Sequence, residues 1–232
     1  MCVRYTLHKS DAALGAISKA LGDPLEASAG APTYNVTLTS IMPVVARFSG
    51  KTAVRPMRWG LIGAAAGAAP QRLLANARAE TARTLPAFRQ AVASRRCLVP
   101  ANGFYEWEEK RGVKLPHLFT LRGEEPFAFA GIWDPALADI PETYCILTTT
   151  PNAVVGLVHD RMPVILTSGA MGRWLGEQPL EEDQFRALVQ PLDPSLMESR
   201  RVSRFVSNSR NQGPECLAPP DEPPPEPEFN FG

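Results

Sequence analysis

Four residues of this chain carry side chains suited to carbonyl chemistry: Cys2, Asn76, Glu106 and His159. Cys2 follows Met1, and methionine before a small residue is the usual substrate for methionine removal. With Met1 gone, Cys2 presents a free α-amine and a thiol on neighbouring atoms. An aldehyde can form a Schiff base with the amine, and the thiol can then close a thiazolidine ring. A reference α-amine titrates near pH 8 and a cysteine near 8.5, so both are partly nucleophilic at neutral pH. A cysteine near a terminus can equally be incidental, and position alone does not separate the two readings.

Glu106 lies in Gly103-Phe104-Tyr105-Glu106-Trp107, a carboxylate set among aromatic residues. Partial desolvation there raises a carboxyl pKa toward neutrality, which suits proton transfer in Schiff-base chemistry. The alternation of the segment also fits an outward-facing residue on a strand. His159 stands at the edge of an apolar strand beside Asp160 and Arg161. Imidazole titrates in the range needed for acid-base work, but a buried, hydrogen-bonded histidine at a helix end fits the same position. Asn76-Ala77-Arg78-Ala79-Glu80-Thr81 is polar on alternate residues, and Val206 to Asn211 forms a polar run late in the chain.

The elements that must position these residues are mostly strands. Ser10-Asp11 opens a helix, with Ala13, Leu14, Ile17 and Leu21 at helical spacing before Gly22. Residues 32–35 read as loop, Ile41 to Phe48 as a strand and Pro56 to Ile62 as a second, short strand. Gly63 to Ala69 is a Gly/Ala loop. Leu85 to Arg96 has helical periodicity, and Cys97 to Pro100 is a short apolar strand. Phe104 to Glu108 and Leu115 to Leu121 form a hairpin turning at Lys110-Arg111-Gly112. Phe127 to Trp133 and Tyr144 to Thr149 are further strands. Asn152 to Val158 is a short helix leading into His159. Val164 to Leu166 is a strand, segments 169–175 and 180–189 are helices, and Arg201 to Val206 is a last strand. Many strands with scattered helices predict an α+β domain around one strongly curved, mixed or antiparallel, barrel-like sheet with peripheral helices.

With 232 residues, 44% of them hydrophobic and 21% charged, one large domain with a sizeable core is expected. That domain spans 1–216, and 217–232 is a Pro-rich acidic tail expected to be disordered or extended. The four cysteines show no C-x-x-C spacing, so neither a disulfide framework nor a metal site is expected, and a reducing compartment fits. No signal-like or membrane-spanning run is visible, so a cytoplasmic protein is expected. Net charge is zero, yet Arg47, Lys51, Arg55, Arg58, Arg72, Arg78, Arg83, Arg89, Arg95 and Arg96 face a single acid, Glu80, within 47–96. Such a segment is either the footprint of a phosphate-bearing partner or a solvated face paired with acids elsewhere.

Several blocks, taken together and in order, resemble the SRAP (SOS-response-associated peptidase) family. They are Met1-Cys2-x-Arg4-Tyr5, Tyr34-Asn35, Met57-Arg58-Trp59-Gly60, Asn76 to Thr81, Arg96 to Pro100, Gly103 to Trp107, His159 to Val164 and Asn208-x-Arg210-Asn211. The resemblance implies an abasic-site sensor that binds single-stranded DNA near the nucleoid, without a cofactor, and joins it covalently; a covalent sensor needs no partner subunit, so a monomer is expected. Cys2 would supply the amine and thiol, Asn76 would orient them, Glu106 would assist Schiff-base formation and His159 would help open the deoxyribose. Arg4, Asn35, Arg58, Trp59, Arg78 and Arg161 match positions lining the DNA groove. Lyase-type chemistry and self-removal of Met1 are implied alongside. Val3 replaces the family's usual glycine, and the loop after Gly60 lacks its usual Pro and Trp. Two other readings stay open: a cysteine peptidase using Cys2, Glu106 and His159, and a non-covalent single-stranded DNA-binding module.

Overall fold

The computed structural model describes residues 3–25, 30–62 and 73–220. In chain order the elements are β1 (Arg4–Leu7), α1 (Ser10–Leu21), β2 (Thr33–Thr37), β3 (Ile41–Phe48) and β4 (Lys51–Trp59). Then come β5 (Asn76–Arg78), α2 (Ala79–Ala82), α3 (Arg89–Ser94), β6 (Arg96–Ala101), β7 (Gly103–Lys110) and β8 (Val113–Leu121). The chain continues with β9 (Phe127–Asp134), β10 (Thr143–Thr149), β11 (Met162–Pro163) and β12 (Ile165–Leu166). It ends with α4 (Ser168–Leu175), α5 (Glu182–Leu188) and β13 (Met197–Arg201).

The α+β expectation holds, but there are two sheets rather than one. The first runs β13-β8-β7-β1-β2 and is antiparallel throughout. In the second, β4-β3-β6-β9-β10 closes into a ring, because β10 pairs both with β9 and, in parallel, with β4. Strand alternation explains why the ring has two cores. Val44, Ala46, Cys97, Val99 and Phe129 face inward with Trp59 and Tyr144, and meet Tyr5, Phe104 and Phe119 from the first sheet. Val45, Leu98, Ala128 and Ala130 face outward and are covered by the helices, with Trp174 and Phe185. The tyrosine hydroxyls at the inner junction satisfy one another, Tyr5 to Tyr144 at 2.8 Å.

Gly131 of β9 packs directly against side chains of the neighbouring strand β6. A Cβ there would meet Cys97 Sγ at 2.8 Å and Val99 Cγ2 at 2.9 Å. Gly131→Ala is therefore expected to destabilise the fold by about 1–3 kcal/mol through overpacking. It should lower the urea midpoint at unchanged m-value. A neutral effect would mean that the ring has slack at this strand.

Some sequence expectations need correction. Of the expected loop at 32–35 only Pro32 stays outside an element, because Thr33–Thr37 pairs with β1. The strand expected at Pro56 begins at Lys51, since the whole segment zips against β3 from Ile41↔Arg58 to Phe48↔Lys51. The helix read over Leu85 to Arg96 is helical only at Arg89–Ser94, and Arg96 already belongs to β6. The last strand lies earlier, at Met197–Arg201, and Arg204–Ser207 is a 3-10 turn. The body continues beyond the expected boundary at 216: Leu217 packs beside Val206 and Cys216, and Ser203 N–H donates to the Ala218 carbonyl at 2.8 Å. The Gly/Ala loop and residues 221–232 of the tail lie outside the described residues. No helix among the described residues is long and apolar enough to cross a membrane.

Candidate active site

The β7–β8 hairpin carries Glu106. Arg111 (φ 52°) and Gly112 (φ 75°) make a two-residue turn with both residues left-handed, which matches the twist of the flanking strands and sets the register. Glu106 falls in the buried half of β7 and is only 4% exposed. Burial pushes its carboxyl pKa up to about 7, and the charge of Asp160 adds to the shift. Glu106 can therefore both hold and release a proton near neutral pH.

His159 reaches the same place from the other side. It follows a 3-10 turn at Val155–Leu157 that Asn152 secures, with Asn152 Oδ1 accepting from Val154 N–H and Val155 N–H at 3.1 and 3.0 Å. His159 Nε2 stands 4.0 Å from Glu106 Oε2, too long for a direct hydrogen bond but bridgeable by one reacting oxygen. Burial lowers the His159 pKa, favouring neutral imidazole. Two groups approach Nδ1 at 3.0 Å, the Arg161 backbone N–H and the Asp160 carboxylate. The N–H is fixed by the chain, whereas Asp160 is 88% exposed and free to turn to water. Nδ1 is thus the acceptor, and the neutral ring keeps its proton on Nε2, facing Glu106.

Both residues line a cleft of about 700 Å³ together with Val3. β1 pairs with β7 through Tyr5↔Phe104 and Thr6↔Gly103, and continuing that antiparallel register carries Val3 alongside Glu106. Cys2 lies outside the described residues; in the sequence it directly precedes Val3.

Asn76 is half-buried on β5, opposite Ile146 of β10. The end of β10 is flanked by β5 and by β11, the strand that follows His159. Arg161 ties the two flanks: its guanidinium grips Glu80 in α2 at 2.6 and 2.9 Å and donates to the Thr148 carbonyl at 2.7 Å.

Three residues assigned to the DNA groove by resemblance occupy other environments. Trp59 is a correction: it is fully buried, edge-on to Tyr5 and stacked with Tyr144, with its indole N–H on the Ala75 carbonyl, so it offers no face to a partner. Asn35 is likewise buried, and its amide donates to the carbonyls of Val206, Asn208 and Asn211 at 3.0–3.2 Å. It holds the late polar run in place and accepts from Arg4. Arg161 is committed to Glu80 and Thr148. Arg78 is exposed and Arg58 half-buried, while Arg4 stands in the cleft with its guanidinium 5.6 Å from the Trp107 ring.

The basic segment mostly serves the fold. Arg47, Arg55, Arg83 and Arg95 pair with Glu177, Glu142, Glu182 and Asp134, and buried Arg96 donates to backbone carbonyls. Two cleft cations escaped the sequence reading, Lys114 and Arg204. The only signal for Lys114 was its place just past the hairpin turn; Arg204 had none. Among the described residues no cluster of His, Cys, Asp or Glu is suited to a metal ion.

Comparison with known proteins agrees with the resemblance. Residues 1–209 match the family model described as SOS response associated peptidase (SRAP). The chain is similar to the abasic site processing protein YoqW of Bacillus subtilis (strain 168), 35% identical over 193 residues, covering 80% of this chain and 85% of that protein. It is also similar to the abasic site processing protein HMCES of Rattus norvegicus, 29% identical over 233 residues, covering 82% of this chain and 65% of that protein. A crystal structure from Bacteroides thetaiotaomicron has a TM-score of 0.76 at 24% identity, covering 94% of this chain and 99% of that one, a likeness of fold.

Proposed function

Because the chain belongs to the SRAP family, we propose that it captures abasic sites in single-stranded DNA by a covalent bond to Cys2. The observation that carries this reading is the pairing of a carboxyl titrating near 7 with a neutral imidazole 4.0 Å away, in a cleft that Val3 also lines. An abasic deoxyribose exchanges between a closed hemiacetal and an open aldehyde. His159 and Glu106 move the proton between ring oxygen and anomeric hydroxyl, which opens the sugar. The Cys2 amine adds to the aldehyde carbon. Protonated Glu106 then donates to the departing hydroxyl, so that water leaves and the imine forms. Attack of the Cys2 sulfur on the imine carbon makes the C–S bond, its proton passes to nitrogen, and the thiazolidine is complete. Asn76 is the group we assign to orienting the terminal cysteine, and Arg4, Arg58 and Arg78 to contacting the strand.

The test is incubation with abasic and with intact single-stranded DNA, followed by denaturation and intact-mass measurement. A mass increase confined to abasic DNA supports capture. Binding that never survives denaturation would leave a non-covalent module, and cleavage of unrelated proteins would favour the peptidase.

Arg161 gives a second, sharper check. As a brace for the His159 loop it needs the two-pronged grip on Glu80, which lysine cannot reproduce. Arg161→Lys and Glu80→Ala should then each slow capture about tenfold. If Arg161 instead served as a phosphate cation, lysine would retain most of the activity and Glu80→Ala would be neutral.

A further inference from the structure

The cleft holding Glu106 and His159 does not end with them. It continues past Val3, Arg4 and Trp107 to the tip of the β7–β8 hairpin, where Lys114 and Arg204 line it. Both side chains are exposed, and neither forms an ion pair or a side-chain hydrogen bond with any described residue. Lys114 stands directly opposite Glu109 in the hairpin register without pairing to it. Many cations elsewhere on the surface are engaged, as Lys9 is with Glu124, Arg47 with Glu177 and Arg83 with Glu182.

The wall between the chemistry and these cations is fixed. The Trp107 indole N–H donates to Ser207 Oγ at 3.0 Å, and the Arg4 guanidinium lies over the ring. Arg4 is itself held by the Val206 carbonyl at 2.8 Å. Ser207 and Arg204 belong to the same 3-10 turn, so the indole, the turn and the cation form one rigid edge. A volume of about 700 Å³ suits a nucleotide or two of a single strand.

Resting on the capture reading, we infer that this arm of the cleft seats the nucleotides on one side of the abasic site, with Lys114 and Arg204 neutralising their phosphates. The chemistry at Glu106 marks the lesion, and the strand leaving it on that side follows Lys114 and Arg204, which with Arg4 are the lysine and arginine side chains that line the cleft among the described residues. Glu109, on the same wall, weakens the contact by repulsion.

Fluorescently labelled single-stranded oligonucleotides test this, each with a tetrahydrofuran abasic analogue that has no aldehyde. Binding is then read without covalent capture, so failure here and failure of the capture chemistry are distinguishable. The lesion is placed at either end, so that flanking nucleotides extend on one side only. Each single-strand phosphate contact contributes about 0.7 to the slope of log affinity against log salt. Lys114→Ala with Arg204→Ala should reduce the slope by about 1.4 and weaken binding roughly 10–30-fold at 0.1 M salt. That loss should appear with one placement of the lesion and vanish with the other. Lys114→Arg should restore its share, and Glu109→Gln should tighten binding for the same placement. Equal loss for both placements, or an unchanged salt slope, overturns the assignment. A circular dichroism melt of each variant confirms that the fold is intact, and the half-saturating concentration of reactive abasic DNA should rise at unchanged maximal capture rate.

Discussion

Cys2→Ala should yield no adduct that survives denaturation, yet a borohydride-trapped adduct should persist. The variant retains an N-terminal amine once Met1 is removed, so the Schiff base still forms and reduction still fixes it. Without sulfur no thiazolidine closes, and the imine hydrolyses when the complex is unfolded. The contrast should be nearly all-or-none on a denaturing gel. A form that retains Met1 should give no adduct that survives denaturation without reduction, because the nitrogen of Cys2 is then an amide and cannot close the thiazolidine. An unreduced, stable adduct with Cys2→Ala would disprove the thiazolidine. This prediction stands on covalent chemistry and on Val3 lining the cleft.

Glu106→Gln should slow capture by 10²-fold or more, the usual range for losing a positioned general acid. The pH profile carries more information than the rate. Dehydration of the carbinolamine needs Glu106 protonated, so the rate falls as pH rises through about 7. Amine addition needs the α-amine neutral, so the rate also falls as pH drops below about 8. The wild-type protein should show a narrow maximum between these limits. Glu106→Gln should lose the alkaline limb and keep the acidic one. An alkaline limb unchanged in the variant would assign that titration to another group.

The same substitution should stabilise the fold, with a definite sign in pH. The Glu106 pKa in the folded protein, about 7, lies above its value in an unfolded chain. Below about pH 4 both states hold the proton and there is no penalty. As pH rises, the unfolded chain ionises first, so the native state loses stability until pH passes 7. Removing the charge should restore on the order of 3–4 kcal/mol at pH 8 and almost nothing at pH 4. For a chain of this size that is roughly 6–16 °C in Tm. Equal melting temperatures for the two proteins at pH 8 would contradict the buried carboxyl with its raised pKa.

Much of the framework was legible because strands and turns announce themselves locally. The hairpin around Arg111-Gly112, the alternation of β3 and β9, and α1 ending at Gly22 in a left-handed cap all follow from neighbours in sequence. β1, β2 and β5 were missed because short segments carry too few residues to show a period. β2 exists because β1 pairs with it, and β5 because β10 offers an edge. The helix expected through Arg96 failed for a similar reason. Arg96 is drawn into β6, and its guanidinium finds carbonyls at the ends of α3 and α4.

The site divided along the same line. Sequence by itself determined which side chains are present: a cysteine at position 2, a carboxyl among aromatics at Glu106, and an imidazole at His159. It could not determine how they titrate or which charges are spare. The Glu106 shift comes from burial in the assembled site. Four arginines of the basic segment, Arg47, Arg55, Arg83 and Arg95, pair with acids as distant as Glu177, 130 positions from Arg47. Trp59, read as a groove residue, is core because Tyr5 and Tyr144 close over it. Lys114 and Arg204, unremarkable in the sequence, line the cleft and form no ion pair with any described residue. Desolvation and charge pairing are set by neighbours in space. Only the tertiary structure brings those neighbours together, and so only it decides which residues of the right chemical type are placed to act.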